Sequence, residues 1–234
     1  FMEAQLVTLT LPGTLRTLGA DIFCDNKQLE TVTMTEGIET IGDSMFSGCG
    51  KLKEFSLPTT VKHIGAMAFF ECVELPEFII PEGVEIIDKY AFSRCNAFTS
   101  ITLPETALTL GKGVFCDMEY ITSATLPETL TEIPEETFSY CASLPSYVIH
   151  DNVKSIGTRS FEWCLDLREI TFGEGMESIG EAAFDRDEKI TYVRSKAKVP
   201  PTGASFMPAV YTNARLVVPA GTMEAYQAAD GWKE

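Results

Sequence analysis

Apolar residues recur along the chain at a fixed interval of 23 positions. The most regular column is phenylalanine, which returns eight times without an insertion or deletion, at Phe23, Phe46, Phe69, Phe92, Phe115, Phe138, Phe161 and Phe184. A constant period in this range is typical of a solenoid, in which each repeat stacks on its neighbour and cannot bury its apolar face alone. The pattern therefore predicts a repeat architecture.

Each repeat contains a short segment in which apolar residues alternate with polar ones. In the repeat that begins at Leu52, Phe55 and Leu57 lie two positions apart and Pro58 follows them. A spacing of two predicts a strand with one buried face, and the proline ends it because it withholds a backbone donor. One such strand per repeat, always in the same direction, predicts a parallel sheet with strands about 4.8 Å apart.

The rest of each repeat has to return the chain to the start of the next strand. An Ile-Gly step recurs there, as at Ile64-Gly65, and glycine permits a sharp bend. Ala68 and Phe69 follow Ile64 by four and five positions. This is helical spacing and predicts a short turn of helix, with the phenylalanine column filling the interior opposite the sheet.

These residues resemble the BspA-like class of leucine-rich repeat, as in Leu52-x-x-Phe55-x-Leu57-Pro58-x-x-Val61-x-x-Ile64-Gly65-x-x-Ala68-Phe69-x-x-Cys72. The resemblance covers about residues 6 to 190. It implies an α/β solenoid, a right-handed superhelix with one parallel β-sheet on the concave face and short helical or irregular turns on the convex face. We assign eight 23-residue repeats to residues 6–189, preceded by a residual N-terminal segment, 1–5.

Residues 190–234 depart from the repeat and are predicted to form a C-terminal cap. They are similar to the closing segment of the same family and read as one more strand at Leu216, then a short helix capped by Thr222. A terminal repeat has to differ in order to shield the last apolar face. No comparable cap precedes Leu6, so we expect that the natural N-terminus has been removed.

The charge balance is strongly acidic. Asp and Glu number 34 against 18 Lys and Arg, which gives a net charge of −16. Such a chain should repel nucleic acid and anionic membranes. There is also no apolar run near the length that spans a bilayer. We therefore expect neither nucleic-acid binding nor membrane insertion.

The seven cysteines favour packing over chemistry. Five of them, Cys49, Cys72, Cys95, Cys141 and Cys164, lie three residues after a phenylalanine, while Cys24 and Cys116 directly follow one. We interpret all seven as one column with one thiol per repeat. Parallel Cβ directions are a poor geometry for a disulfide, and no histidine completes a zinc site. Small buried thiols are the favoured interpretation, and no metal or cofactor is predicted.

Nothing in the sequence supports catalysis. The two histidines, His63 and His150, lie about four repeats apart, or roughly 19 Å at one strand spacing per repeat. Neither has an obvious nucleophile beside it, and no phosphate loop, zincin motif or serine-hydrolase elbow is present. We predict no catalytic residue and no enzymatic activity.

The outward positions of the predicted strand are mostly threonine and serine, such as Thr33, Ser56 and Thr102. Leucine-rich repeats often bind on this concave face, but interface hot spots favour tyrosine, tryptophan and arginine. Threonine is also a good strand former. We therefore interpret this face first as structure.

A carboxylate begins the turn after most strands. This acidic ladder comprises Glu36, Glu82, Glu105, Glu128, Asp151 and Glu174. Stacked carboxylates repel one another, so the ladder is expected to be tolerated and not stabilising. It could attract a basic partner or loosely held calcium, or it could be a solvated turn that deters aggregation.

The sharper candidate is aromatic. The column two residues after the phenylalanines is polar except at Tyr140 and Trp163, which are stacked neighbours, and Phe70 and Tyr90 add apolar surface on the same general side. An exposed Trp–Tyr pair has the composition of an interface hot spot. It could also pack on a neighbouring turn or on a symmetry mate. These four residues are the candidate protein-binding site.

Two functions remain after these exclusions. The first is a protein-binding, adhesion-like module. The resemblance implies a cell-surface or secreted bacterial protein that contacts host or neighbouring-cell proteins. The second is a structural spacer with no ligand of its own. Seven unpaired thiols would be unusual in an oxidising exterior unless they are buried.

Overall fold

The predicted parallel strands are present. A computed structural model describes residues 1–232. Partners in neighbouring strands differ by 23 residues, as in Leu9 with Val32 and Ile170 with Val193. The strands of this first column are Thr8–Leu11, Thr31–Met34, Glu54–Phe55, Ser100–Thr102, Ser123–Thr125, Ser146–Val148, Glu169–Phe172, Tyr192–Ser195 and Arg215–Val217. The solenoid predicted from the 23-residue period is confirmed.

A second column of two-residue strands passes through the Ile-Gly steps, where the sequence predicted only a bend. Its members are Thr40–Ile41, His63–Ile64, Ile86–Ile87, Thr109–Leu110, Glu132–Ile133, Ser155–Ile156 and Ser178–Ile179. Glycine follows several of them because the neighbouring backbone is close. A Cβ on Gly180 would lie 2.5 Å from the carbonyl carbon of Gly157. Two residues are too few to show alternation, so the pattern did not reveal these strands.

The segment around each phenylalanine is an irregular turn, and the helical turn predicted at Ala68 and Phe69 is wrong. The N–H groups of Met67 and Phe69 donate to carbonyls of the next repeat, both at 2.9 Å. The N–H groups of Ala68 and Phe70 instead donate within the turn, at 3.2 and 3.1 Å. This alternation requires left-handed residues two before and two after the phenylalanine, and Met67 and Glu71 have φ of 55° and 59°.

The phenylalanine column forms the centre of the interior. All eight rings are buried, and each stacks on the next, for example Phe69 on Phe92 with 5.5 Å between ring centroids and an interplanar angle of 1°. The stack continues into the C-terminal segment, where Phe184 meets Phe206 at 5.4 Å. Loss of one ring from such a core costs about 3–5 kcal/mol.

The first strand column is interrupted twice, at positions the prolines explain. In an intact repeat the N–H of Lys53 donates to Glu30 O of the previous repeat at 2.9 Å. Pro76 and Pro145 occupy the same position in their repeats and have no N–H to donate. Within residues 1–232 the column is therefore divided into sheets of three, two and four strands.

The C-terminal segment closes the core. Helix α1 (Pro208–Asn213) and helix α2 (Met223–Ala228) flank the strand Arg215–Val217. The Tyr226 hydroxyl donates to Ala197 O at 2.8 Å, and Trp232 Nε1 donates to Pro201 O at 2.8 Å. Thr222 precedes α2 as predicted but makes no capping bond, because its hydroxyl donates to Pro219 O at 2.9 Å. Neither helix in residues 1–232 is long and apolar enough to cross a membrane.

Candidate protein-binding surface

Tyr140 and Trp163 occupy left-handed backbone positions. They lie two residues after Phe138 and Phe161 and have φ of 61° and 63°. Gly48 has the same place in its repeat, with φ of 71°. A bulky residue in this conformation costs about 1–2 kcal/mol relative to a right-handed one. The turn imposes this conformation in every repeat, and the other non-glycine residues at this column are left-handed as well: Asp25, Glu71, Arg94, Asp117 and Arg186.

The two rings stack in parallel and are joined by a cation. Their centroids lie 5.8 Å apart with an interplanar angle of 8°. The guanidinium of Arg186, one repeat further on, lies 5.5 Å from the centroid of Trp163. Tyr140 is 45% exposed. We call Tyr140, Trp163 and Arg186 the aromatic ladder. Sequence reasoning did not choose Arg186, although its place 23 residues after Trp163 was a usable signal.

Phe70 packs elsewhere. Arg94 lies over its ring, with 5.6 Å from the guanidinium carbon to the centroid. The same guanidinium binds Glu71 at 2.6 Å and Asp117 at 2.8 Å. These ion pairs hold Phe70 and Arg94 within the surface of their own repeats. No ring contact links Phe70 to the aromatic ladder in the part of the chain that the structure describes.

Tyr90 is committed to an internal contact. Its hydroxyl donates to Glu136 Oε2 at 2.6 Å, and a Cβ on Gly113 would lie 2.2 Å from its ring. Burial, followed by the hydrogen bond to Glu136, raises the pKa of Tyr90 to about 12. The structure therefore brings together Tyr140 and Trp163 of the four predicted residues, and not Phe70 or Tyr90.

Two carboxylates of the acidic ladder, Glu36 and Glu105, cap backbone N–H groups. Glu36 accepts hydrogen bonds from the N–H of Thr59 at 3.1 Å and of Thr60 at 3.2 Å. These bonds lower the pKa of Glu36. Further along, Glu105 accepts from the N–H of Glu128 at 3.1 Å. Each of these carboxylates accepts a hydrogen bond from a backbone donor in the next repeat. The sequence predicted only repulsion between the stacked carboxylates, and these hydrogen bonds were not expected.

The carboxylates of the acidic ladder do not form a metal-binding cluster in the described part of the chain. Asp151, another member, accepts from the N–H of Glu174 at 3.1 Å and from Lys196 Nζ at 3.0 Å. Over residues 1–232 no group of three or more His, Cys, Asp or Glu side chains is placed to hold a metal ion.

The repeats match a known family over most of the chain. A family model described as the BspA type leucine-rich repeat region, in six copies, matches residues 1–97 and 62–191. The chain belongs to this family. No curated protein is significantly similar to it.

Three solved structures share the fold of this chain. A leucine-rich repeat protein from Bacteroides ovatus has a TM-score of 0.72 and 22% identity, with 91% of this chain and 60% of that chain covered. A leucine-rich repeat protein from T. pallidum has a TM-score of 0.60 and 22% identity, with 80% and 79% covered. A pneumococcal vaccine antigen has a TM-score of 0.51 and 15% identity, with 91% and 79% covered. At these identities the likeness is one of fold.

Five cysteines of this BspA-type chain form the predicted thiol column. Each Sγ donates to the carbonyl of the phenylalanine one repeat earlier, as Cys72 does to Phe46 O at 3.1 Å. All seven cysteines are free. Cys24 and Cys116 do not belong to the column, contrary to the prediction, because Asn26 and Met118 occupy their repeats' places in it. Burial raises the pKa of Cys49 to about 12, which keeps the thiol protonated.

Asp187 ends the thiol column, three residues after Phe184. It is buried, and neither carboxyl oxygen has a hydrogen-bond partner within the described residues. Burial raises the pKa of Asp187 to about 9, so the carboxyl is protonated at neutral pH. Sequence reasoning missed this residue, although its place after five thiols was visible.

The two histidines lie in different surroundings. His63 Nε2 lies 2.6 Å from Asp88 Oδ2. The ring nitrogens of His150 are buried and have no partner within residues 1–232. Among the described residues, neither histidine is placed beside a nucleophile in a catalytic arrangement. Leucine-rich repeats of this family are typically protein-interaction modules.

Proposed function

We propose that this BspA-type repeat domain is a non-enzymatic, adhesion-like protein-binding module of a bacterial cell-surface or secreted protein, and that the aromatic ladder contacts the partner. The observation that carries the proposal is the stack of an exposed Tyr140 on a half-buried Trp163, in a column that has no other aromatic residue. Every residue at this column is left-handed because the turn requires it, so what sets these two repeats apart is the pairing of a tyrosine with a tryptophan. The ladder adds no core packing that would explain it.

The composition of the ladder fits a protein partner. Tyrosine, tryptophan and arginine are the residue types that dominate interface energetics. The stack holds the rings in one orientation, so little side-chain entropy is lost on binding. Trp163 has one face against Tyr140 and the other against Arg186, which leaves the ring edges and the free face of Tyr140 for the partner.

A structural neighbour supports placement outside the cell. The pneumococcal structural neighbour is described as a vaccine antigen, which supports a surface location and a partner on a host or neighbouring cell. Five of the seven thiols are buried, and buried thiols tolerate an oxidising exterior, whereas Cys24 and Cys116 are only partly buried.

A structural spacer is the second candidate. The hydrogen bonds that link successive turns and the capping carboxylates of the acidic ladder favour a stiff rod. A spacer needs no stacked tyrosine and tryptophan at its surface, so the aromatic ladder favours the binding module.

A pull-down from a host extracellular-matrix extract tests the proposal. The double variant Tyr140→Ala, Trp163→Ala should retain at least about tenfold less of any protein captured by the wild type, because truncating a hot spot costs at least about 2 kcal/mol. Tyr120→Ala is the matched control, since Tyr120 is 53% exposed and lies outside the ladder. Equal capture by the double variant would show that the aromatic ladder does not contact the captured protein. A wild-type domain that retains nothing would favour the spacer.

A further inference from the structure

Two repeats share a motif that the others lack. Leu75-Pro76-Glu77-Phe78-Ile79-Ile80 and Leu144-Pro145-Ser146-Tyr147-Val148-Ile149 both read Leu-Pro-x-aromatic-aliphatic-Ile. They lie 69 residues apart, which is three repeats of 23. In this motif the proline breaks the strand column, and a β-branched aliphatic residue replaces the solvent-facing threonine or serine of the strand. We call the solvent-facing side of this strand column the outer face.

The two aliphatic residues are open to solvent. Ile79 is 87% exposed and Val148 is 64% exposed. The corresponding residues of the other repeats are polar: Thr10, Thr33, Ser56, Thr102, Thr125 and Thr171. A single exposed aliphatic residue is ordinary. Two in one column, both at a break in the sheet, form a repeated surface feature.

Each aliphatic residue lies beside a recess. A cavity of about 360 Å³ is lined by Ile79, Thr102 and Glu82 among others. A second of about 480 Å³ is lined by Val148, Thr125 and Glu128 among others. Between them lies only the two-stranded sheet Ser100–Thr102 and Ser123–Thr125. The outer face therefore carries two apolar positions with a recess at each and a polar stretch between.

The first break is held by a side chain. Glu77 accepts hydrogen bonds from the N–H groups of Thr99 and Ser100, both at 2.8 Å. In an intact pair the equivalent N–H groups bond to a backbone carbonyl, as those of Lys53 and Glu54 do to Glu30 O. The carboxylate thus replaces a strand contact and fixes the recess beside Ile79, so the shape is preformed.

The rim of this face is acidic. Glu54, Glu77 and Glu169 lie at one end of the strands, and Glu82, Glu105 and Glu128 lie at the other. Since opposite charge steers association and discourages wrong partners, this rim favours a basic segment.

The spacing of the two positions selects the conformation of that segment. Three strand spacings amount to about 14 Å. An extended chain covers this distance in four residues, at about 3.3–3.6 Å each, and residues four apart lie on the same face. A helix would need nine or ten residues, which fall on different faces at about 3.6 residues per turn.

We propose that the outer face between Ile79 and Val148 docks an extended basic segment of a partner protein, with two apolar side chains four residues apart seated on these two residues. This surface is separate from the aromatic ladder, and the inference does not depend on it.

A defined peptide tests this inference. The probe is a fluorescein-labelled seven-residue peptide of lysine and serine that carries two isoleucines four positions apart, and binding is followed by fluorescence anisotropy. Ile79→Thr and Val148→Thr should each weaken binding by about fivefold or more, since each removes an apolar contact of roughly one to two methyl groups. Val199→Thr is the matched control, because Val199 is 75% exposed and lies outside this face.

A second peptide separates shape from charge. It has the same composition with the isoleucines three positions apart, which places them on opposite faces of an extended chain. We expect it to bind at least about fivefold more weakly than the first. Equal binding of the two peptides would overturn the inference. Unchanged affinity in both threonine variants would also overturn it, as would no binding of the first peptide at millimolar concentration. Because Tyr140 and Trp163 are intact throughout, these results are independent of the proposed function.

Discussion

At the scale of single residues, the departures from the repeat carry most of the information. Trp163 and Phe161 are two positions apart, yet one is half-buried at a strained surface position and the other is fully buried in the aromatic core. A second departure lies at the end of the thiol column, where the carboxyl group of Asp187 takes the place of a thiol. Each exception is visible in the sequence once the column to which it belongs is known.

Asp187 should make the protein less stable as the pH rises. A carboxyl that is protonated in the folded state, with a pKa of about 9, and ionises near pH 4 in the unfolded state binds more protons when folded. As far as Asp187 is concerned, the free energy of unfolding is therefore highest below about pH 4 and falls progressively between pH 4 and pH 9. Asp187→Cys restores the thiol of the column and should remove the loss.

Urea unfolding at pH 5 and pH 8 checks this expectation. We expect Asp187→Cys to raise the free energy of unfolding by about 1–3 kcal/mol at pH 8 and by less at pH 5. Asp185→Cys is the control, because Asp185 is partly exposed. An equal effect of Asp187→Cys at both pH values would show that the carboxyl is ionised in the folded state.

At the scale of elements, the pattern predicted the first strand column and missed the second. Alternation over Phe55 and Leu57 identifies a strand because it spans several residues, whereas His63–Ile64 is too short to show any period. The turn at Met67 was misread as helical because spacing alone does not reveal a left-handed residue. The breaks at Pro76 and Pro145 were predictable in principle, since both prolines fall at a donor position of the strand.

Glu77 replaces a strand contact and should make the first break sensitive to acid. Hydrogen bonds, chiefly from the Thr99 side chain, lower the pKa of Glu77 to about 2. The stabilisation that Glu77 provides is therefore fully present above the pKa of the unfolded state, near 4.5, and is lost as the pH falls through about 2. Glu77→Gln should lower stability at pH 6 and lower it by clearly less at pH 2.5, where part of the contribution of Glu77 has been lost.

Thermal unfolding followed by circular dichroism measures this difference. Glu85→Gln is the control, because the Glu85 side chain accepts no hydrogen bond within residues 1–232. The same shift in melting temperature for Glu77→Gln at pH 6 and pH 2.5 would contradict the assignment.

At the scale of the whole molecule, charge is unevenly distributed. Residues 1–189 contain 31 acidic and 13 basic residues, whereas residues 190–234 contain 3 and 5. The repeats therefore carry the negative field, and a basic partner is steered to them and away from the cap. The regular period builds the interior, and the partner contacts that we propose lie at the residues that break it.

The binding role of the aromatic ladder can be separated from stability by substituting glycine. At φ near 60°, glycine relieves backbone strain while removing the ring. Tyr140→Gly, Trp163→Gly should keep the free energy of unfolding within about 1 kcal/mol of the wild type, whereas Phe161→Ala should lose about 3–5 kcal/mol.

The most direct test is the affinity of this double glycine variant for the protein captured by the wild type, measured by surface plasmon resonance. The account predicts a folded variant whose affinity is at least about tenfold weaker. A folded variant that binds with wild-type affinity would contradict it.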